Sequence, residues 1–410
     1  MRRVVVTGMG AVTPIGNDVD SMWKAAKNGL CGIGEITHYD HTNHKVSLAA
    51  EVKDFDPNRY LDRSEVRRLD DFCIYALTAA CEAMEDSKID MKKEDPLRCG
   101  VIFSSGIGGM TSIQREDMRG MQKGYDRVNP HFIPMVISNM AAGHIAMKFG
   151  FNGICSCVVT ACAGSGNAIG DSFRQIKFGF NDIMICGGAE ASITPLGIGG
   201  FTSMNALSTS RDPLRASIPF DKERNGFVMG EGAGALILEE YEHAINRGAK
   251  IYCEIKGYGV SCDAHHVTAP LEDGSMAAVC MEKAMEEANV TCEDIDYINA
   301  HGTSTQLNDR CETRAVKRAL KESACDVMMS STKSLTGHLL GASGAVESIL
   351  TSLMVEHDTV IATANYKVKD EECDLDIVPN KARNTKVDIA LSNSFGFGGH
   401  NVSLLFGKVR

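Results

Sequence analysis

Short apolar runs alternate with helical patterns along most of the chain. Glycine or polar residues bound the runs, as expected for buried strands, and we predict strands at residues 4–7, 100–103, 154–159, 183–186, 234–238, 251–260, 297–300, 387–393 and 402–406. The helices predicted between them include residues 67–87, 166–177, 275–288, 309–320 and 342–356. This alternation is typical of α/β layers with largely buried sheets.

The same style of alternation recurs after about residue 250, and no flexible linker or low-complexity tract separates the two parts. We therefore expect two similar halves that are fused tightly, residues 1–250 and residues 251–410. The length of 410 residues is ample for a large core.

The composition limits which cellular compartments and which binding partners we expect. The net charge of −11 argues against general affinity for nucleic acid or for an anionic membrane, and no apolar run is long enough to span a membrane. The 15 cysteines form no regular framework, which fits a reducing compartment. We expect a cytoplasmic bacterial protein, or one of a plastid-type organelle if a transit peptide has been removed.

One cysteine is placed to do chemistry. Cys162 follows an apolar run, stands among small residues and directly precedes a helical pattern. This order predicts a buried strand, a tight turn that carries the thiol, and a helix start whose free N–H groups favour the thiolate.

Three later segments could complete a site. His301 follows a predicted strand, His338 precedes a predicted helix, and each has a glycine beside it. Either histidine alone could equally be a satisfied buried residue. The glycine-rich segment 393–401 could offer free backbone N–H groups to an oxyanion, although alone it indicates only a hairpin turn.

Together these segments resemble the signatures of beta-ketoacyl-[acyl-carrier-protein] synthases, in the same order and spacing. The matching segments are 4–10, 160–163, 220–227, 300–305, 333–338 and 393–399, so that the resemblance covers essentially the whole chain. It is closest to the elongating type II enzymes of fatty-acid synthesis. It implies a thiolase-like fold of two duplicated halves in α-β-α-β-α layers, which is usually a homodimer, and an acyltransferase that needs neither cofactor nor metal.

The resemblance also implies roles for individual residues. Cys162 matches the nucleophile that takes the acyl chain as a thioester, and His301 and His338 match the pair that assists decarboxylation of the malonyl carrier. Lys333 matches the lysine that organises the histidines and Glu347. The backbone N–H groups of Cys162 and Phe397 match the oxyanion hole, Phe397 also matches the gate to the cysteine, and Ile107 borders the acyl pocket.

The sequence departs from the family pattern at three places. Gln306 and Asn308 stand where the family usually has proline and glycine, which puts the shape of that loop in doubt rather than the chemistry. His400 replaces a frequent threonine. We assign it no catalytic role.

The implied partner is an acidic acyl carrier protein, which needs cations near the tunnel mouth. Arg59, Arg63 and Arg67, with Arg68 adjacent, would form a basic edge if one helix carried them all. A solvated surface face explains the same pattern equally well.

Other classes fit less well. A cysteine hydrolase leaves the second histidine without a role, and a zinc site lacks any CxxC or closely spaced histidine pair on these segments. A chain-length-factor-like subunit would lack the cysteine. A condensing enzyme of polyketide synthesis remains the alternative function.

Overall fold

Most of the predicted strands assemble into one large sheet. The computed structural model describes residues 1–409. Its strands are β1 (Val4–Val12), β2 (Gly34–Glu35), β3 (Leu48–Ala49), β4 (Cys99–Ser104), β5 (Cys155–Ser156), β6 (Ile183–Glu190), β7 (Gly232–Glu240), β8 (Cys253–Cys262), β9 (Tyr297–Asn299), β10 (Met328–Ser330), β11 (Thr359–Val360), β12 (Arg383–Asn384), β13 (Ile389–Gly396) and β14 (His400–Gly407). Ten of them share the main sheet, and the other four form two small pairs.

The main sheet repeats one five-stranded pattern. Its order in the first half is β5-β4-β6-β7-β1, and in the second half it is β10-β9-β13-β14-β8. In each half the first three strands are parallel and the last two pairings are antiparallel. A short antiparallel contact between β1 and β8 joins the halves. The predicted duplication is confirmed by this repeated topology.

Helices cover both outer faces and fill the centre. They are α1 (Val19–Lys27), α2 (Arg63–Val66), α3 (Asp71–Ser87), α4 (Met110–Lys123), α5 (Phe132–Val136), α6 (Met140–Phe149), α7 (Gly164–Lys177), α8 (Pro195–Ser203), α9 (Tyr241–Asn246), α10 (Ser275–Ala288), α11 (Gln306–Leu320), α12 (Lys333–Thr336) and α13 (Ser343–His357). Helices α3 and α6 pack on the first half of the sheet, and α10 packs on the second half. Helices α7 and α13 lie between the two halves, which completes five layers.

The amino-acid pattern explains this layering. Residues 343–355 of α13 are all buried, as required of a helix in a central layer that has sheet on both sides. Helix α7 reaches the same depth through small residues. A Cβ atom on Gly170 would meet the Tyr258 ring at 2.3 Å, so only glycine allows this approach of helix to sheet.

Two predicted elements are wrong. Residues 154–159 do not form a buried strand, because only Cys155 and Ser156 pair, at the outer edge of the sheet. The helix predicted from residue 67 begins instead at Asp71, where the Asp70 side chain caps it. None of the helices within residues 1–409 is long and apolar enough to span a membrane.

Candidate active site

Cys162 lies in a short 3-10 turn, Ala161–Ala163, directly before helix α7. The preceding residue, Ala161, has a φ of +50°, a conformation that non-glycine residues rarely adopt. The turn is therefore held by its surroundings rather than by local preference. It carries the thiol at the end of the helix where backbone N–H groups are free, as the sequence predicts.

The tip of the β13–β14 hairpin contacts this turn. A Cβ atom on Gly396 would lie 3.2 Å from the backbone nitrogen of Cys162 and 2.6 Å from the carbonyl oxygen of Thr160, so glycine is required for the contact. The backbone N–H groups of Phe397 and Cys162 both face the Cys162 sulfur. The Phe397 ring lies 6.3 Å from that of Phe201. The two predicted oxyanion donors are thus brought together.

His301 follows strand β9 and is almost fully buried. Its backbone N–H and that of Gly302 donate to the two carboxylate oxygens of Glu312, at 2.8 and 2.7 Å. The imidazole packs edge-on against the His338 ring, with ring centroids 5.4 Å apart. Backbone contacts therefore fix the position of the residue while the ring remains available.

His338 lies in the turn between α12 and α13. Its backbone N–H donates to the carbonyl of Val228 at 2.7 Å, and its carbonyl accepts from Gly230 at 2.8 Å. Its Nδ1 atom lies 2.8 Å from the Ser343 hydroxyl. The Nε2 atoms of His301 and His338 have no hydrogen-bond partner among the described residues, so each can meet a ligand.

Lys333 and Glu347 form a buried ion pair beside the histidines. The Lys333 ammonium lies 2.5 Å from Glu347 Oε1, and both side chains are nearly inaccessible to solvent. Burial raises the pKa of Glu347 to about 7, and the lysine charge opposes this rise. The second carboxylate oxygen, Oε2, has no partner among residues 1–409.

Four of the predicted site residues line one cavity of about 400 Å³, and Ile107 does not. Cys162, His301, His338 and Phe397 all line it. Lys333 and Glu347 do not line the cavity, and both are buried behind the residues that do. Thr303 and Thr305 extend the lining towards α11, whose first residue is Gln306.

Electrostatics keep the site neutral. Burial lowers the pKa of both imidazoles well below 6.5, and the nearby Lys333 charge adds to this effect. Burial also raises the pKa of the half-buried Cys162 thiol to about 12, against the lowering effects of Lys333 and the two backbone N–H groups. The backbone N–H groups favour the thiolate in the predicted direction, but desolvation outweighs them.

Ile107 packs in the same apolar cluster as Cys162, together with Leu340. The turn that carries Ile107 follows strand β4 and is held by Glu190, which the sequence did not single out. Burial raises the pKa of Glu190 to about 7. The only sequence signal for this residue is a lone carboxylate at the end of an apolar strand.

Glu312 and Ser343 were also missed from the sequence. Glu312 accepts two backbone hydrogen bonds at His301 and Gly302, and Ser343 makes one contact with the His338 ring. These contacts arise only in the folded chain. Glu312 could have been suspected, because it lies three residues after Asp309 on a helix whose apolar face is buried.

The predicted basic edge is not one helix. Arg63 begins α2, a four-residue helix that the Asp62 capping box starts, and Arg67 ends it. Arg59 belongs to a separate 3-10 turn. Arg63, Arg67 and Arg68 are nonetheless exposed, and none of them forms an ion pair with another described residue.

No cluster of three or more histidine, cysteine or acidic side chains within residues 1–409 is arranged to hold a metal ion.

Comparisons with known proteins identify the family of this chain. The family model for the beta-ketoacyl synthase N-terminal domain matches residues 1–244, and that for the C-terminal domain matches residues 252–367. The chain is 50% identical to 3-oxoacyl-[acyl-carrier-protein] synthase 2 of Synechocystis, over 99% of this chain and 98% of that protein.

Two solved structures cover the chain completely and are covered completely by it. A beta-ketoacyl synthase from Burkholderia phymatum is 34% identical, with a TM-score of 0.92. A chain in the structure of a type II polyketide synthase acyl-carrier protein in complex with its ketosynthase is also 34% identical, with a TM-score of 0.89. The chain therefore belongs to the beta-ketoacyl synthase family.

Proposed function

We propose that the chain is a beta-ketoacyl-[acyl-carrier-protein] synthase II, an elongating enzyme of type II fatty-acid synthesis. The observation that carries the proposal is the convergence of Cys162, His301 and His338 on one cavity, with the N–H groups of Phe397 and Cys162 at the sulfur. The substrates are an acyl chain and a malonyl group, each delivered as a thioester of an acyl carrier protein.

The first half-reaction is acyl transfer. The Cys162 thiol loses its proton as its sulfur attacks the thioester carbonyl, and the N–H groups of Cys162 and Phe397 stabilise the oxyanion. The carbon–sulfur bond to the carrier then breaks, and the carrier leaves as its thiol. The high pKa of the resting thiol fits a proton that departs only during this attack.

The second half-reaction forms the carbon–carbon bond. Loss of carbon dioxide from the malonyl group leaves an electron pair on the α-carbon, and neutral His301 and His338 donate hydrogen bonds to the enolate oxygen. The carbanion attacks the acyl thioester, and Cys162 leaves as the thiolate. The product is a 3-oxoacyl carrier two carbons longer. Decarboxylation supplies the carbanion, so the chemistry requires no redox cofactor.

The alternative, a condensing enzyme of polyketide synthesis, uses the same chemistry. Identity favours the fatty-acid role, since it is 50% to the 3-oxoacyl-[acyl-carrier-protein] synthase 2 of Synechocystis and 34% to the polyketide ketosynthase. Hydrolysis is disfavoured, because it gives no role to the second histidine beside the Lys333–Glu347 pair.

Two variants of Cys162 test the proposal. Cys162→Ala should abolish condensation, whereas Cys162→Gln, which mimics the acylated state, should retain decarboxylation of the malonyl carrier. Intact-protein mass spectrometry of the wild type, after incubation with acyl carriers of increasing length, should show the acyl mass on the enzyme. A folded Gln variant that does not release carbon dioxide would contradict the assigned roles.

Assembly, compartment and domain division complete the proposal. Strand β5 leaves one side of the main sheet unpaired, and Ile154, Val159 and nearby Met147 on α6 expose apolar surface there. These features support a homodimer that pairs the two β5 edges.

A cytoplasmic location is supported by the bacterial relative. A boundary between residues 250 and 251 is supported by the limits of the two family-model matches.

A further inference from the structure

Glu190 is a fully buried carboxylate that has no cationic partner among the described residues. It ends strand β6 and accepts hydrogen bonds from five groups on three segments of the chain. The donors are the backbone N–H groups of Gly106 (2.8 Å), Ile107 (3.2 Å) and Gly341 (3.1 Å), and the hydroxyls of Ser192 (3.1 Å) and Ser105 (3.4 Å).

Four of the five donors belong to two turns, and the fifth, Ser192, follows Glu190 itself. The turn after β4 carries Ile107, and the turn before α13 follows directly on His338. The turns touch through backbone, since a Cβ atom on Gly341 would meet the Gly106 nitrogen at 2.3 Å. The negative charge of Glu190 also raises the pKa of Cys162, which places it within electrostatic reach of the thiol. One carboxylate thus joins the acyl side and the histidine side of the site.

We propose that Glu190 is a positioning residue for substrate choice, which holds Ile107 at a fixed depth and so limits the length of the acyl chain that Cys162 accepts. The inference rests on the proposed function. Glu190 does not touch the reacting atoms. It acts because a carboxylate can accept from donors on both of its oxygens. Oε2 joins the two turns by accepting from Gly106 and Gly341, and Oε1 accepts from the Ile107 N–H and the two serine hydroxyls.

The substitution Glu190→Gln separates the contacts of Oε2 from those of Oε1. The amide oxygen can take the Oε2 position and still accept from Gly106 and Gly341. The amide nitrogen then stands at the Oε1 position, where the serine hydroxyls can turn to accept from it but the Ile107 N–H loses its acceptor. The side chain keeps its size, so the expected consequence is a loosened Ile107 rather than a cavity.

The experiment measures kcat/KM for acylation of Cys162 across saturated acyl carriers of increasing length. An apolar pocket discriminates one methylene by roughly 10–200-fold, so Glu190→Gln should reduce the discrimination at the upper length limit about tenfold. The rate with the preferred length should change much less. Malonyl decarboxylation should persist, because the contacts to the His338 side are retained.

Glu239→Gln is the matched control. Glu239 is also fully buried, on the neighbouring strand β7, and accepts from Thr7, His243 and Arg247 away from the cavity. Its substitution should leave the length profile unchanged. If Glu190→Gln does not fold, Ser192→Ala removes one donor to the same oxygen and should shift the profile in the same direction.

An unchanged profile, or an equal fall at every chain length, would overturn the proposal, because a merely structural glutamate predicts no length dependence. Failure of the proposed function would appear differently. In that case the wild-type enzyme itself would carry no acyl mass on Cys162 with any carrier.

Discussion

A single buried cation affects every reactive side chain of the site. Lys333 lowers the pKa of Cys162, His301 and His338, although it does not line the cavity. Glu347 neutralises it at 2.5 Å. Burial keeps the imidazoles neutral, and hence able to donate to an enolate, and the Lys333 charge adds to this effect. Glu347 balances that charge, so the pair leaves no net charge inside the protein.

The ion pair predicts a specific pattern of stability. Lys333→Met leaves Glu347 buried without its partner and should lower the free energy of unfolding by about 3–5 kcal/mol. The loss should grow as the pH rises above about 5, because burial raises the pKa of Glu347 in the folded protein above its unfolded value, and folding then requires proton uptake. Urea unfolding at several pH values measures both effects.

The double variant Lys333→Met/Glu347→Leu is the control. It removes both charges, so most of the lost stability should return. A double variant as unstable as the single one would show that packing around Lys333, rather than the orphaned charge, carries the effect.

At the scale of elements, the β13–β14 hairpin completes the site. It contributes no reactive side chain, but its glycine tip brings the Phe397 N–H to the sulfur of a cysteine on another segment. The 3-10 turn directly before helix α7 provides the other N–H donor, that of Cys162. The oxyanion hole is therefore a contact between two elements, and its geometry depends on how closely they approach.

A methyl group at the contact should weaken it. In Gly396→Ala the new Cβ would lie 2.6 Å from the Thr160 carbonyl oxygen, so the hairpin must move and take the Phe397 N–H with it. Displacing one oxyanion donor should slow acylation of Cys162 by about 10²–10³-fold, measured as the rate of acyl-enzyme formation by mass spectrometry. Gly200→Ala on α8 is the control, since a Cβ there meets nothing within 4 Å. Equal rates in the two variants would contradict the close approach.

The features that could be predicted from the sequence are those that depend on residues close together along the chain. Helices 166–177 and 275–288 and the motif residues Cys162, His301 and His338 were placed correctly, because periodicity and short signatures are written in consecutive residues. The helix predicted from residue 67 begins later than predicted, because the Asp70 side chain caps a helix that starts at Asp71. Glu190 escaped notice because its five donors come from segments that meet only after folding.

At the scale of the whole molecule, duplication explains why the two halves share one site. Helices α7 and α13 face each other in the central layer, and each begins directly after a short 3-10 turn, Ala161–Ala163 and Leu340–Ala342. Cys162 lies in the first turn, and His338 lies just before the second. Equivalent helix starts in the two halves therefore present the nucleophile and a histidine to the same cavity.

The last prediction concerns the docking of the carrier on a protein whose own charge is −11. An acidic carrier must find local cations, and Arg63, Arg67 and Arg68 are exposed without ion pairs in the described chain, so their charges are free to attract it. Arg63→Glu/Arg67→Glu should raise KM for carrier-bound substrates and leave small thioester surrogates unaffected. Lys92→Glu/Lys381→Glu reverses two exposed charges elsewhere and changes the net charge equally. If both double variants raise KM alike, or if the surrogates slow as much as the carrier substrates, the arginines are a solvated surface and docking lies elsewhere.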